Sequence, residues 1–141
     1  MSFRASVFSA KEFAIIIGIS IFASAILYVS YVVAVNEVSS QTILETNQTV
    51  IGQEISYPSG SPQITSKIVT IPVGAETGPH IHEYPMFAYI LSGEVTVDYG
   101  EKGVKTFVAG ESIVEAINYT HNGKNNGKVP TEILVVLMAE K

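Results

Sequence analysis

Apolar and polar positions divide the chain into two kinds of text. Residues 13–35 (FAIIIGISIFASAILYVSYVVAV) contain no charged side chain, and no polar face recurs in them at helical spacing. Beyond residue 50 the apolar runs become short and rich in Val, Ile, Thr, Tyr and Phe: 67–73 (KIVTIPV), 86–91 (MFAYIL), 94–99 (EVTVDY), 104–108 (VKTFV), 111–117 (ESIVEAI) and 132–138 (EILVVLM). Such runs predict strands. Ser92-Gly93, Tyr99-Gly100, Ala109-Gly110, Asn122-Gly123 and Asn126-Gly127 punctuate them as turn signals. Residues 57–62 (YPSGSP) form a further turn cluster, and residues 36–49 (NEVSSQTILETNQT) read as a polar linker. Many short strands at this spacing predict an all-β antiparallel sandwich or barrel, preceded by an N-terminal hydrophobic helix. No heptad, internal repeat or long amphipathic helix is present.

The apolar segment is long enough to span a bilayer, for which about 20 residues suffice. Tyr28 and Tyr31 fall toward one end, where interfacial aromatics sit. Arg4 and Lys11 precede the segment, Glu37 follows it, and the next basic residue is Lys67. The positive-inside rule then places residues 1–12 in the cytoplasm and residues 50–141 outside it, in a periplasm or lumen. A cleaved signal peptide is the rival reading, with Ala23-Ser24-Ala25 or Ala34 at the cut and a secreted product. Cleavage at the first site leaves an apolar new terminus, Ile26-Leu27-Tyr28-Val29, so the expectation is an uncleaved single-pass anchor.

The remaining length suits one domain. A net charge of -5, with the acidic residues spread along the chain, excludes a nucleic-acid partner, which needs clustered Lys and Arg. There is no cysteine, so disulfides, zinc ribbons and thiol catalysis are excluded. Gly100 and Gly103 flank a turn without the strand-to-helix context of a phosphate loop.

The histidines carry the informative chemistry. There are 3: His80, His82 and His121. Side chains on a strand alternate with period two, so His80 and His82 project to one face and can chelate one ion. A barrel can return His121 to the same interior.

This pattern resembles the cupin family. Its first motif reads G-x5-H-x-H-x3,4-E-x6-G. Here Gly74, His80, His82 and Gly93 take the expected slots, with Met86 where the family has Glu. The second motif reads G-x5-P-x-G-x2-H-x3-N. Gly110, His121 and Asn125 match it, while Ala116 replaces the Pro and Asn118 the Gly. The resemblance covers residues 51–139. It implies a small jelly-roll β-barrel with a metal in its mouth, and it leaves the reaction open, because cupins include dioxygenases, isomerases, decarboxylases and binding modules.

The expected ligands are His80, His82 and His121, holding a divalent transition metal (Fe, Mn, Zn, Cu or Ni) with an open position for substrate. Met86 at the usual Glu position has a thioether that suits Cu(I). A packing role inside the barrel is the preferred reading, since Met is a common gap-filler. Glu76, Glu83 and Glu115 are candidate acid/base groups or substitute ligands, with Glu83 turned to the surface by strand alternation. Tyr84, Tyr89 and Tyr119 pack or cap the mouth, Asn125 organises its loop, and Asn118 tolerates the positive φ of the glycine it replaces. The expected function is a membrane-anchored, metal-binding cupin acting on a small molecule as an oxidoreductase, dioxygenase or isomerase. The alternative is a non-catalytic sensor module with a degenerate site. Apolar residues Phe87, Tyr89 and Leu91 on the outer face suggest a covering sheet or a homodimer.

Overall fold

The computed structural model describes residues 19–23, 26 and 38–141. It divides into two compact units, Met1–Gln41 and Thr42–Lys141. In the first, residues 19–23 and 26 are helical and exposed. The rest of the expected anchor at residues 13–35 lies outside the described residues, and among those described no helix is long and apolar enough to cross a membrane.

The second unit is built of β-strands: β1 (Pro62–Ile71), β2 (Met86–Ser92), β3 (Glu94–Asp98), β4 (Val104–Val108), β5 (Ser112–Val114), β6 (Asn122–Lys124) and β7 (Thr131–Glu140). They form a four-stranded sheet, ordered β1-β7-β2-β5, and a three-stranded sheet, ordered β4-β3-β6. Every pairing between them is antiparallel. This is the expected jelly-roll class. The inner faces meet in one core: Ile71, Ala88, Ile90 and Ile133 from the larger sheet, Val95 and Val97 from the smaller, with Tyr99 and Ala116 beside them. Alternation explains the choice, since Ala88 and Ile90 point inward while Phe87, Tyr89 and Leu91 point out.

Three features differ from the sequence reading. β1 starts at Pro62 inside the expected turn cluster, because its whole length pairs with β7 from Pro62↔Glu140 to Ile71↔Thr131. Asn122-Gly123 is not a turn but part of β6, paired Val97↔Gly123 and Asp98↔Asn122. No further sheet covers Phe87, Tyr89 and Leu91 among the described residues, and Leu91 is exposed.

The sharp β2–β3 turn depends on Gly93. Its φ is +74°, and an added Cβ would lie 2.8 Å from the Pro130 carbonyl oxygen. Only a residue without Cβ combines that conformation with that approach.

Candidate metal centre

The site is assembled by a backbone zipper between two loops. His80 and His82 lie in the connection between β1 and β2, not within a strand as the spacing predicted. Their backbone is nevertheless extended, because single bridges pin it: His80↔His121 antiparallel and His82↔Ile117 parallel. His80 and His121 exchange two N–H to O=C hydrogen bonds, both 3.0 Å, and Asn118 N–H donates to His82 O at 2.7 Å. Asn118 has φ +50°, so the turn usually made by glycine is kept, as the sequence predicts for Asn.

The period-two argument therefore holds in its consequence. The three imidazoles converge, with one ring nitrogen from each within 4.8 Å of the others. Ring centroids stand 4.9 Å apart for His80–His82, 4.5 Å for His80–His121 and 5.1 Å for His82–His121.

The hydrogen bonds determine which nitrogen is free. His80 Nδ1 is 2.9 Å from Gly78 O, and His121 Nδ1 is 2.9 Å from Tyr119 O. A carbonyl oxygen only accepts, so each Nδ1 carries a proton, and in that tautomer of the neutral ring Nε2 is the nitrogen with the lone pair. His82 Nε2 is buried without a hydrogen-bond partner. Burial first, then the positive charge His80 and His121 would carry, lower the His82 pKa from 6.5 to about 4. Three converging ring nitrogens, one of them buried without a partner, fit a bound metal ion.

Around the histidines lies a cavity of about 230 Å³, lined on one side by Met86, Ala88, Ile90, Ile133 and Val135 and on the other by Val95, Val97 and Phe107. Glu115 is buried at its polar end, with Oε2 3.9 Å from His121 Nε2. Its Oε1 accepts from Ala116 N–H at 2.7 Å. Tyr99 is fully buried against the His121 ring at 5.7 Å. Its hydroxyl is buried beside Glu115, and burial first, then the charge and hydrogen-bonding proximity of Glu115, raise its pKa above the usual tyrosine range.

A profile of the cupin domain matches residues 67–137. The chain belongs to the cupin domain family. The chain is similar to several solved structures. A protein of Bacillus halodurans is 19% identical with a TM-score of 0.50, over 55% of this chain and 64% of its own. A structure described as a predicted oxalate decarboxylase of Thermotoga maritima is 26% identical with a TM-score of 0.46, over 52% of this chain and 64% of its own. A cupin domain of Bordetella pertussis is 19% identical with a TM-score of 0.48, over 60% of this chain and 98% of its own. The cupin thus spans less than two thirds of the length of the first two. No curated protein matches it.

Other candidates of this cupin separate clearly. Met86 and Glu115 line the cavity. Glu76 instead accepts from Asn122 Nδ2 at 3.0 Å on the outside, and Glu83 is exposed as alternation predicts. Tyr84, Tyr89 and Tyr119 are half-buried and absent from the cavity lining. Asn125 is fully buried, donating to Ile71 O and Val129 O and accepting from Gly127 N–H, which is the loop-organising role expected of it. Sequence reasoning missed Tyr99 and Thr77. Thr77 lines the cavity and lies 3.4 Å from His80 Nδ1. Thr77 takes an unspecified position of the first motif and Tyr99 lies outside both, so only the packing beside β3 and in the β1–β2 connection brings them in.

Proposed function

We propose that this cupin holds one divalent transition metal on His80, His82 and His121 and binds a small molecule beside it. The carrying observation is the convergence of three imidazoles, one ring nitrogen from each within 4.8 Å of the others, with Nδ1 of His80 and of His121 held by backbone carbonyls. Fe, Mn, Zn, Cu and Ni all accept such donors. A bound metal supplies Lewis acidity toward a carbonyl or carboxylate oxygen, or a lowered pKa of coordinated water. The apolar walls exclude water from the ligand. Lys67, the only Lys or Arg lining the cavity, favours a ligand with an acidic group. Reaction classes consistent with this site are oxidation by a small-molecule oxidoreductase or dioxygenase, and isomerisation.

Elemental analysis of protein purified without added metal tests the reading. The expected result is about one transition-metal ion per chain, lost in a His80→Ala, His82→Ala variant. A native protein free of metal and unchanged in stability on adding Zn²⁺ or Ni²⁺ overturns it. Met86 in the carboxylate slot favours a second reading, a non-catalytic ligand-binding module. Ligand binding that survives the double His variant supports that reading over catalysis.

Two assembly features belong to the same proposal. Residues 13–35 supply a single-pass anchor that holds the cupin domain outside the cytoplasm, supported by the uncharged run and the flanking charges. The outer face of β1 and β7 supports a homodimer, because Ile64 and Ile68 are 70% and 63% exposed beside Leu134, Val136 and Met138.

A further inference from the structure

The family carboxylate missing at position 86 has a neighbour in the right place. The β2–β5 register pairs Phe87↔Val114 and Ala88↔Ile113. Its next step sets Met86 opposite Glu115, and Glu115 N–H donates to Met86 O at 2.9 Å. Residues opposite one another in an antiparallel pair present side chains on one face, with Cβ atoms about 4.5–5.5 Å apart. Both side chains line the same cavity.

From this geometry we infer that Glu115 supplies the carboxylate to the metal site, having taken over from across the β2–β5 ladder the place that Met86 leaves empty of charge. The inference rests on the three-histidine reading above. Glu115 is only 6% exposed, and a buried carboxylate requires a compensating cation or donors. Its Oε1 is occupied by Ala116 N–H, while Oε2 points toward His121 Nε2 at 3.9 Å. That nitrogen presents a lone pair, because its ring proton is on Nδ1 facing Tyr119 O. The buried Tyr99 hydroxyl beside Glu115 can donate to the carboxylate, but an oxygen that faces a lone pair stays unfavourable unless a positive charge sits between them. A proton on His121 would serve this one contact. A metal ion serves it and the lone pairs of His80 and His82 together. Four-coordinate ions with bonds of about 2.0–2.1 Å hold their donors about 3.3 Å apart, and Glu115 Oε2, 3.9 Å from His121 Nε2 and outside the converged histidine set, has to close in to share the ion. Three neutral imidazoles and one carboxylate restore the family's usual donor set from a different strand.

Metal affinity, rather than activity, tests this. Zn²⁺ is titrated into the full chain against a chromophoric chelator, and the Co²⁺-loaded proteins are compared by visible absorption. Glu115→Gln is expected to weaken Zn²⁺ binding about 10- to 100-fold and to shift the Co²⁺ bands. Adding Met86→Glu to that variant restores both, whereas Met86→Ala alone changes neither. Native affinity in Glu115→Gln overturns the inference and leaves the three-histidine reading standing. A native chain that binds no Zn²⁺ overturns both. Should Glu115→Gln fail to fold, Met86→Glu in the native background decides. No gain in affinity is expected where Glu115 already serves, and a gain of about tenfold or more shows a carboxylate place still unfilled.

Discussion

His82 is the residue whose surroundings carry the clearest consequence for pH. Its pKa falls from 6.5 in the unfolded chain to about 4 in the folded one, through burial first and the neighbouring His80 and His121 second. Between those values the unfolded chain binds a proton that the folded chain does not, so stability falls as pH is lowered. Urea titrations of the metal-free protein are expected to give a lower midpoint at pH 5 than at pH 7. His82→Gln should narrow that gap, and an equal gap in the variant would refute the assignment. At Asn125, the structure gives one side chain three backbone partners: Ile71 O, Val129 O and Gly127 N–H. Asn125→Ala leaves them buried and unpaired, at about 1–3 kcal/mol for each group not rescued by water. A loss of at least about 2 kcal/mol in denaturant unfolding is the expected outcome. The histidine triplet and Asn125 were legible because spacing within a motif is local. Glu115 was legible only as one of three candidate carboxylates; that it, and not Glu76 or Glu83, lines the cavity depends on β2 and β5 meeting in the fold.

At the scale of elements, turn chemistry and strand alternation were the reliable signals. Gly93 combines φ +74° with an approach of 2.8 Å from its would-be Cβ to Pro130 O. The left-handed conformation alone costs a non-glycine residue about 1–2 kcal/mol, and the contact adds to it. Gly93→Ala should therefore lower the denaturant midpoint by more than its effect on helix-free turns elsewhere, such as Gly52, whose Cβ would meet nothing. Equal losses at the two glycines would count against the close approach. Alternation correctly turned Ala88 and Ile90 inward. Turn chemistry failed for β6, where Asn-Gly looks like a turn but pairs with Val97 and Asp98. Gly123 belongs there because an added Cβ would stand 3.3 Å from Val95 Cγ2. Local propensity carries no signal for that packing. The histidine-bearing connection is a related case: its extended form is imposed by the bridges to His121 and Ile117, not by strand propensity.

For the molecule as a whole, a site made from two loops couples metal binding to folding. His80 and His82 precede β2, His121 precedes β6, and the unfolded chain does not hold them together. A metal at 100 times its dissociation constant adds about 2.7 kcal/mol to the folded state, and a domain of this size gains about 4–8 °C per kcal/mol. Thermal unfolding is expected to rise by roughly 10 °C or more on adding Zn²⁺, and to stay unchanged in the His80→Ala, His82→Ala variant. The sequence by itself determined the β class, the family and the three histidines, because these rest on period, turn residues and motif spacing. It also determined that no thiol or disulfide takes part. Only the tertiary structure decided that the three imidazoles meet, and that Tyr99 is buried against the His121 ring. It alone set Glu115 beside the place where Met86 stands. The reason is physical: each depends on contacts between segments far apart in the chain, set by sheet register and loop bridges that no local pattern encodes.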